Sequence, residues 1–459
     1  MHTRFASRLR CLVPQRIAIK KIMPDKTTIN IFWFRRDLRV HDNAGLYHAL
    51  KSENPVLCLF IFDRLILDEL EDKDDARVTF IHKTIEHLHK KLQQHGSSLM
   101  IKYDAADDAW DTILNEYTIE TVYTNHDYEP YAKTRDESIQ EKLKKYAIGF
   151  KTYKDQVIFE KNEVIKDDGK PYTVYTPYQR KWYQTLTPFY LKSYPADRYL
   201  HNLYKHTGNA VPSLRLMGFE KSDKQFPGKH YEDVIKDYAD KRNFPAIEGT
   251  SHIGLHLRFG TVSIRELARK ANSYAEKTWL NELIWREFYM MILHHFPKTM
   301  DHAFRPEYDR IKWVNDEQQF KAWCNGETGY PLVDAGMREL NTTGYMHNRV
   351  RMVVASFLSK DLLIDWRWGE RYFARKLLDY EMASNVGGWQ WAAGSGTDAA
   401  PYFRIFNPGS QLKKFDPELA YIKKWVPEYA DFSKYPKPII DHAFARERCL
   451  KAFKEALSE

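Results

Sequence analysis

The stretch GYMHNRVRMVVASFLSKDLLIDWRWGERYFARKLLDYEMASNVGGWQWAAGSGTDAAPYFRIFNP, residues 344–408, decides how this chain is interpreted. A hydrophobic core is filled well by Leu and Val, whereas indoles beside paired glycines, amides and arginines are costly choices for packing alone. The stretch therefore predicts a functional site. The side chains that stand out are Trp366, Trp368, Trp389, Trp391, Asn348, Arg349, Arg351, Asp379, Glu381, Asn385 and Arg404.

The sequence around this stretch is helical in its spacing. From residue 231 to 459, apolar residues recur three and four positions apart, and turns such as GETGYP and NPGS interrupt them. This spacing predicts an all-helical domain over residues 231–459.

Residues 26–155 have a different pattern, because short β-rich runs alternate there with helical patterns such as Ala76–His95. Alternation of this kind predicts an α/β domain with a doubly wound parallel (Rossmann-like) sheet. The glycine-rich dinucleotide motif is missing after the first run, where RRDLRVHDN stands instead. The predicted strands are Ile29–Phe34, Val56–Phe62, Ser98–Tyr103, Thr121–Thr124 and Phe150–Tyr153.

Two segments lie outside these domains. Residues 156–230 are rich in Pro, Lys and Tyr, and we interpret them as a long inter-domain linker that packs on the surface. Residues 1–25 carry six basic residues within the first 22 positions and no acid there, as a transit peptide would. Met23, directly before the first strand, favours a disordered extension or a start-site artefact instead.

Charge and cysteine content limit the function classes. The net charge of +8 is weak evidence for nucleic-acid binding, because most of it comes from residues 1–22. No run approaches the roughly 18 apolar residues that a membrane span needs. The cysteines are scattered, which favours a reducing, cytoplasmic location and argues against a zinc site or a disulfide framework. They are Cys11, Cys58, Cys324 and Cys449.

EGTSHIG, residues 248–254, ends an extended segment and opens a helix. Thr250, Ser251 and several backbone N–H groups are therefore expected at a helix N-terminus, which is a favourable place for a phosphate. The same local pattern also fits an ordinary Ser/Thr helix cap.

WLNELIWREFY, residues 279–289, places Glu282, Trp285, Arg286 and Tyr289 on one helix face. Taken alone, this pattern is typical of a buried aromatic stripe with an exposed Glu–Arg pair.

The motifs EGTSHIG and WLNELIWREFY resemble those of the DNA photolyase and cryptochrome family. The same resemblance is found in MHNRVRM (346–352), LLDYEMASNVGGWQW (377–391) and YEPYAKTRD (128–136). The resemblance extends from residue 29 to about residue 440 and is closest to the prokaryotic class I cyclobutane pyrimidine dimer photolyases. It implies repair of UV-damaged DNA by a monomeric enzyme that needs no metal. In such enzymes, light-excited reduced FAD (FADH⁻) passes an electron to a flipped-out dimer. The alternative is a cryptochrome-type photoreceptor that signals through a protein partner.

The resemblance also implies which residues hold one non-covalent FAD. Asn385 would face flavin N5, and Trp389, Trp366 and Trp313 would form an electron relay from the flavin outward to the surface. Where family members commonly have Arg and Ser at the phosphates, this chain has His252 and Gly254. The implied FAD contacts are Tyr238, Thr250, Ser251, His252, Ile253, Gly254, Asp379, Tyr380, Glu381 and Asn385.

For the DNA, the resemblance implies that Trp285 stacks on the damaged bases and that Glu282 hydrogen-bonds the lesion. Asn348 and Met352 stand where (6-4) photolyases carry two histidines, which favours the cyclobutane dimer as the substrate. The implied DNA contacts are Arg242, Glu282, Trp285, Arg286, Tyr289, Asn348, Arg349, Met352, Trp391, Arg404 and Gln411.

A second, light-harvesting chromophore stays open at this point. Folate-binding members contact their folate through an Asn–Glu pair and a Cys–Lys pair, where this chain has Tyr131–Ala132 and Met300–Asp301. A deazaflavin, a second flavin, a folate held differently and no antenna are all compatible with the sequence.

Overall fold

The computed structural model describes residues 27–458, so the N-terminal extension 1–25 lies outside the described residues. The N-terminal region is a five-stranded parallel sheet in the order β3-β2-β1-β4-β5, with helices between successive strands. Its elements are β1 Ile29–Phe34, α1 Ala44–Leu50, β2 Val56–Asp63, α2 Arg64–Leu67, α3 Ala76–Gln93, β3 Met100–Asp104, α4 Ala106–Glu116, β4 Ile119–Asn125, α5 Pro130–Lys145 and β5 Gly149–Tyr153.

Strands β1 and β2 are buried along their whole length, and their sequences INIFWF and VLCLFIFD are nearly unbroken apolar runs. Such runs are expected where helices cover both faces of a parallel sheet. The predicted α/β class is confirmed, and the five predicted strands differ from the observed ones only at their ends. Strand β4 is the clearest difference, since it continues to Asn125, whose side chain bonds Asp37 and Asn43 inside the fold.

From residue 154 to residue 458 the regular elements are helices, as the apolar spacing predicts. Short 3-10 turns and one π-helical turn, Phe357–Asp361, connect several of them. The helices are α6 Tyr175–Thr185, α7 Glu232–Lys241, α8 Gly254–Arg258, α9 Ile264–Asn272, α10 Thr278–His295, α11 Glu317–Asn325, α12 Pro331–Thr343, α13 Asn348–Ser356, α14 Trp366–Lys376, α15 Met382–Ala393, α16 Pro408–Phe415, α17 Ala420–Trp425 and α18 His442–Ser458.

Helix α15 is central in this region, because it packs against α10, α13 and α14. Gly369 on α14 allows the closest of these contacts, since a Cβ at this position would overlap the ring of Trp389. The motif NVGGWQW, residues 385–391, therefore lies where four helices meet.

A buried ionic cluster joins the helical region to the sheet region. Arg265 on α9 bonds Asp42 (Nε–Oδ1 2.9 Å) and Asp155 (Nη2–Oδ1 2.7 Å), and Arg39 also bonds Asp155 at 2.7 Å. All four side chains are buried. Because an unpaired charge is costly in such a place, the cluster fixes how the two regions meet.

Part of segment 156–230 differs from the surface position expected for it. Helix α6 buries Tyr178 and Trp182 against α10, where both donate hydrogen bonds to the Glu287 carboxylate. The composition of the segment does not reveal this burial, because Tyr and Trp in a Lys-rich segment are equally compatible with a surface position. The proposed domain boundaries remain a prediction.

Within residues 27–458, no helix is both long enough and apolar enough to cross a membrane.

Candidate flavin and nucleic-acid site

A cavity of about 390 Å³ opens between α10, α13, α14 and α15. Most of the predicted site residues meet here, although they come from distant parts of the sequence. Those that line the cavity are Arg242, Glu282, Trp285, Arg286, Tyr289, Asn348, Met352, Asp379, Tyr380, Glu381, Asn385, Trp389 and Trp391.

Asn385 is held in one orientation by Glu370. Its amide nitrogen donates to the Glu370 backbone carbonyl at 3.0 Å and to the Glu370 carboxylate at 2.9 Å. The amide oxygen is thereby left as the group available to a ligand, and it can accept a hydrogen bond from an N–H of that ligand. Sequence reasoning did not identify Glu370, although it precedes Asn385 by only 15 residues.

Glu381 places a fixed negative charge at the cavity wall. Its Oε1 accepts from Arg286 Nη2 and from Arg36 Nη2, each at 2.8 Å. Burial works against ionisation, but the two guanidiniums hold the pKa of Glu381 below its ordinary value. Arg36 follows strand β1, so the sheet region supports this wall through its contact with Glu381.

Asp379 lies between the main cavity and a second cavity of about 340 Å³. It forms an ion pair with Arg351 at 3.0 Å. Thr250 and His252 of the TSHIG turn line the second cavity, and Thr250 Oγ1 lies 3.1 Å from the Tyr345 hydroxyl. Burial lowers the pKa of His252, so it brings no positive charge at neutral pH where a family arginine would bring one.

The other residues predicted to contact FAD do not line either of these two cavities. Trp279 Nε1 donates to Ser251 Oγ at 3.4 Å, and Ile253 is buried at the start of α8. Gly254 leaves room for Asp379, whose Oδ2 would lie 2.9 Å from an added Cβ. The Tyr238 ring packs beside the Arg242 guanidinium at 5.3 Å. Tyr238, Ser251, Ile253 and Gly254 are not among the described residues that line either cavity.

The two glycines of α15 have different surroundings. Gly387 faces Tyr289, and a Cβ at Gly387 would overlap that ring. Gly388 lines the cavity, and a Cβ at Gly388 would have no heavy atom within 4 Å. The open space over Gly388 and the free oxygen of Asn385 fit a flat ring system with a hydrogen-bond donor at its edge, as FAD has.

Glu282 and Arg242 form an ion pair at the wall of the same cavity. Burial raises the pKa of Glu282, while Arg242 opposes the change. A glutamic acid with a raised pKa can donate a hydrogen bond to a carbonyl oxygen, which an ionised one cannot.

Trp285 presents its indole to the cavity while Tyr175 covers it from α6. The two rings are stacked with centroids 3.6 Å apart and an interplanar angle of 7°. Met352 and Asn348, at i+4 and i of α13, line the same cavity, and neither of these two positions carries a titratable group. Such a wall suits packing against flat, apolar faces.

Arginines also surround the site. The Arg349 guanidinium lies 4.3 Å from the Phe415 ring and donates to Asn243 at 2.7 Å. Burial, followed by the positive charges of Arg242 and Arg404, lowers the pKa of Arg349. Arg404 is exposed, and Gln411 on α16 is partly exposed. This arrangement is suited to phosphate.

Arg286 is placed differently from the other arginines predicted to contact DNA. Its guanidinium bonds Glu381 and the Gln156 carbonyl oxygen, the latter at 2.7 Å, inside the cavity wall. The position suits the flavin end of the cavity better than a DNA surface.

The three relay tryptophans differ in burial. Trp389 lines the cavity and is 3% exposed, Trp366 is 1% exposed, and Trp313 is partly exposed beside Phe453 of α18. Their role as a relay stays a prediction.

A third cavity, of about 180 Å³, lies at the carboxyl ends of the sheet strands. Tyr131 and Ala132 line it, and the Tyr131 hydroxyl donates to Asp63 at 2.6 Å. Arg35 and Arg135 lie 5.1 and 5.0 Å from the Trp33 ring on another side. Met300 and Asp301 are not among its lining residues.

Sequence reasoning missed several residues of the main cavity. Arg351 lies in the motif MHNRVRM and Ser384 in the motif LLDYEMASNVGGWQW, but no role was predicted for either residue. The apolar residues of the wall carry no signal that separates them from a core. They are Ala355, Phe373 and Leu377.

Comparison with known proteins agrees with this geometry. Residues 30–197 match the family model described as DNA photolyase, and residues 279–434 match the one described as FAD binding domain of DNA photolyase. A deoxyribodipyrimidine photo-lyase of Alkalihalophilus pseudofirmus is 36% identical, over 94% of this chain and 99% of the relative.

Two solved structures are similar over nearly the whole chain. A bacterial class III photolyase from Agrobacterium tumefaciens is 31% identical with a TM-score of 0.84, covering 96% of this chain and 100% of that one. An archaeal photolyase from Sulfolobus tokodaii, solved with two FAD molecules, is 33% identical with a TM-score of 0.80, covering 93% and 99%. The helices that form the cavity are thus those of an FAD-binding domain, and the chain belongs to the DNA photolyase family.

Proposed function

We propose that this protein is a deoxyribodipyrimidine photo-lyase that repairs cyclobutane pyrimidine dimers in DNA under blue light. The observation that carries the proposal is one cavity whose walls suit both reactants. Gly388 and the Asn385 oxygen fit a flavin, while Glu282, Trp285 and Met352 offer a hydrogen bond and flat apolar contacts to a lesion.

When bound, reduced FAD supplies a light-driven electron to the dimer. The residues of the chain supply binding, position and charge. Asn385 would accept a hydrogen bond from the flavin, and Gly388 would leave room for its ring. Asp379, Arg351 and Glu381 would provide fixed charges in the same cavity.

On the lesion side, Trp285 stacks against the extruded bases and Met352 packs against them by dispersion. Glu282 donates to a base carbonyl oxygen, a bond that strengthens as negative charge develops there. Repair of a (6-4) product needs a proton donor, and neither Asn348 nor Met352 has a titratable side chain. This contrast supports the cyclobutane dimer as the substrate.

We also propose that the protein is a monomer that holds one non-covalent FAD. Its proposed location is the cytoplasm of a prokaryotic cell. The third cavity would take a second, light-harvesting chromophore with a flat ring, since Trp33, Tyr131 and two arginines surround it.

The test uses two oligonucleotides, one with a cyclobutane thymine dimer and one with a (6-4) product. Each is illuminated with blue light in the presence of chemically reduced protein, and restored thymines are measured by chromatography. We expect repair of the first lesion only. Comparable repair of the (6-4) product contradicts the Asn348 and Met352 argument, and repair of neither lesion contradicts the enzyme assignment.

A further inference from the structure

Lys360 is a buried lysine that the chemistry proposed above does not use. It lies in the π-helical turn Phe357–Asp361, which follows α13, and it is 1% exposed. Taking an ammonium group out of water is costly, and burial lowers the pKa of Lys360 from 10.5 to about 8. Single π-helical turns are frequent at functional sites. The turn and the cost of the buried charge together indicate a role for this side chain.

The hydrogen-bond partner of Lys360 is a backbone oxygen from a distant part of the sequence. Its Nζ donates to the carbonyl oxygen of Arg404 at 2.9 Å. The neighbouring Asp361 carboxylate pairs with His442 of α18 and raises the pKa of that imidazole, while Arg448 donates to the Asp361 carbonyl oxygen at 2.7 Å. The Lys360 ammonium is thereby left to hold the backbone at Arg404 through a charge-assisted hydrogen bond.

Arg404 is an exposed residue whose backbone is held from the inside of the protein. Its amide donates to the Pro401 carbonyl oxygen at 2.8 Å, which closes a turn. On one side of the turn, the Tyr402 ring stacks on Phe453 of α18, with centroids 5.9 Å apart and an interplanar angle of 15°. The bond from Lys360 fixes the turn at Arg404 itself, so it limits where the guanidinium can point.

The other titratable groups that face Lys360 come from α18, from its own turn and from the Arg404 segment. Cys449 of α18 and Asp361 favour the charged form of Lys360, whereas Arg404 opposes it. Burial raises the pKa of Cys449 to about 12, so this thiol is neutral near pH 8. The charge on Lys360 itself therefore changes near that pH, beside the Arg404 backbone.

We propose that Lys360 is a positioning residue for DNA binding, whose ammonium holds the Arg404 backbone so that the guanidinium meets a phosphate. The proposal rests on the proposed function, because it needs Arg404 to contact DNA. Lys360 is buried and acts only through Arg404. When Lys360 loses its proton, its bond to the carbonyl oxygen becomes a neutral and weaker one, and the turn is held less firmly. DNA affinity therefore falls as pH rises through the pKa of Lys360, about 8.

The test measures the dissociation constant of a fluorescent duplex with one cyclobutane dimer, for FAD-loaded protein at several salt concentrations. We expect Lys360→Met to weaken binding and to reduce the slope of log affinity against log salt concentration by up to about 0.9, as Arg404→Ala does. The double variant Lys360→Met/Arg404→Ala should bind as Arg404→Ala does, because both changes remove the same contact. The repair yield per absorbed photon at saturating DNA should stay at the wild-type value, since Lys360 does not line the main cavity.

Lys224→Met is the matched control. Lys224 also donates to backbone carbonyl oxygens, those of Asn341 at 2.7 Å and Thr342 at 2.8 Å, and burial lowers its pKa too. Neither of these carbonyl groups belongs to a residue predicted to contact DNA. Lys224→Met should therefore bind the duplex as the wild type does.

A second readout does not depend on how well Lys360→Met folds. Between about pH 7 and pH 9, the DNA affinity of the wild type should fall more than that of Arg404→Ala, which has no guanidinium to position. In Lys360→Met, the pH dependence that remains belongs to His442 and the other titratable groups. It should match the dependence found in Arg404→Ala.

Three results overturn the proposal. They are wild-type affinity and salt slope in Lys360→Met, equal pH dependence in the wild type and Arg404→Ala, and fully additive losses in the double variant. Failure of the proposed function is recognised separately. Unchanged DNA binding in Arg404→Ala removes Arg404 from the DNA contacts, and the role of Lys360 with it. Chemically reduced wild-type protein that does not repair dimers disproves the repair function, whatever the Lys360 variants do.

Discussion

Arg36 of the sheet region donates to Glu381 of the helical region, with 2.8 Å between Nη2 and Oε1, and Glu381 lines the main cavity. The same guanidinium bonds Asp127 at 3.1 Å and Glu129 at 3.0 Å, and both of these residues line the third cavity. One partly buried arginine therefore connects the walls of the two cavities.

We expect Arg36→Gln to weaken FAD retention. Glu381 would keep Arg286 but lose one of its two cationic partners, and a buried carboxylate tolerates this poorly. A tenfold rise in the FAD dissociation constant, equivalent to about 1.4 kcal/mol, is the expected size. Fluorescence of FAD released on dilution measures it.

The chain offers a matched control for this variant. Arg375 also joins the two regions, through Glu71 and Asp72, but it is exposed and does not line the main cavity. Exposed ion pairs contribute roughly 0–1 kcal/mol, so Arg375→Gln should keep its FAD. Equal loss of FAD from both variants would mean that general loosening of the two regions, and not the contact with Glu381, is responsible.

The Glu370–Asn385 contact predicts an effect on the flavin potential. In Glu370→Leu the Asn385 amide keeps its bond to the backbone carbonyl of residue 370 but loses the bond to the carboxylate, so its oxygen is held less firmly towards a bound flavin. A hydrogen bond to the reduced form, worth about 1 kcal/mol, would be weakened. The two-electron midpoint potential should fall by on the order of 20 mV. Glu370→Gln still offers an acceptor oxygen, and a redox titration should give it the wild-type potential.

Glu282 should affect repair more than binding. Glu282→Ala removes the hydrogen bond that strengthens as charge develops on the lesion, so the yield per absorbed photon should fall while lesion affinity changes little. Glu282→Gln retains a donor and should keep most of the yield. Because burial raises the pKa of Glu282, the wild type should lose yield as pH rises through that pKa, and Glu282→Gln should not. A yield that is independent of pH in both proteins would exclude the protonated carboxyl as the donor.

Glu287 makes stability depend on pH. Burial raises the pKa of Glu287 from 4.5 to about 7, against the hydrogen bonds from Ile158, Phe159, Trp182 and Tyr178. The folded state therefore binds a proton that the unfolded state releases near pH 4.5. This contribution is complete below about pH 4.5 and is lost as pH rises through about 7, a change on the order of 3 kcal/mol.

Urea unfolding at a series of pH values tests this prediction. Between pH 5 and pH 8 the free energy of unfolding of the wild type should fall relative to that of Glu287→Gln. The quantity to compare is the slope of unfolding free energy against pH. The absolute values differ for another reason, because the Gln amide would place N–H donors among groups that also donate and should lower stability at every pH. Parallel curves would show that Glu287 does not titrate in this range.

The sequence predicted the α/β and helical regions well, because unbroken apolar runs and three-four spacing are local signals. It also identified most of the residues of α10, α13 and α15 that line the main cavity. It could not show that Arg36 reaches Glu381, that Glu370 orients Asn385 or that Tyr175 of α6 stacks on Trp285. Each of these depends on how distant segments pack, and a single residue of common type leaves no pattern along the chain.

The last prediction distinguishes the arginines around the main cavity by the groups that they contact. The positive charges of Arg242 and Arg404 oppose the charge on Arg349, and Arg404 is exposed. Phosphate groups would relieve this repulsion, whereas the Arg286 guanidinium is already paired with Glu381. Arg349→Ala and Arg404→Ala should each weaken DNA binding. Each should also reduce the slope of log affinity against log salt concentration by about 0.9, as expected for one lost phosphate contact.

Arg286→Ala should leave that slope unchanged and should instead release FAD more readily, because Glu381 would lose its second partner. Titration of a fluorescent dimer-containing duplex at four salt concentrations measures all three variants, and FAD content is determined on the same samples. A reduced slope in Arg286→Ala would mean that this arginine leaves Glu381 for a phosphate when DNA binds. Unchanged slopes in Arg349→Ala and Arg404→Ala would place the DNA on another face of the protein.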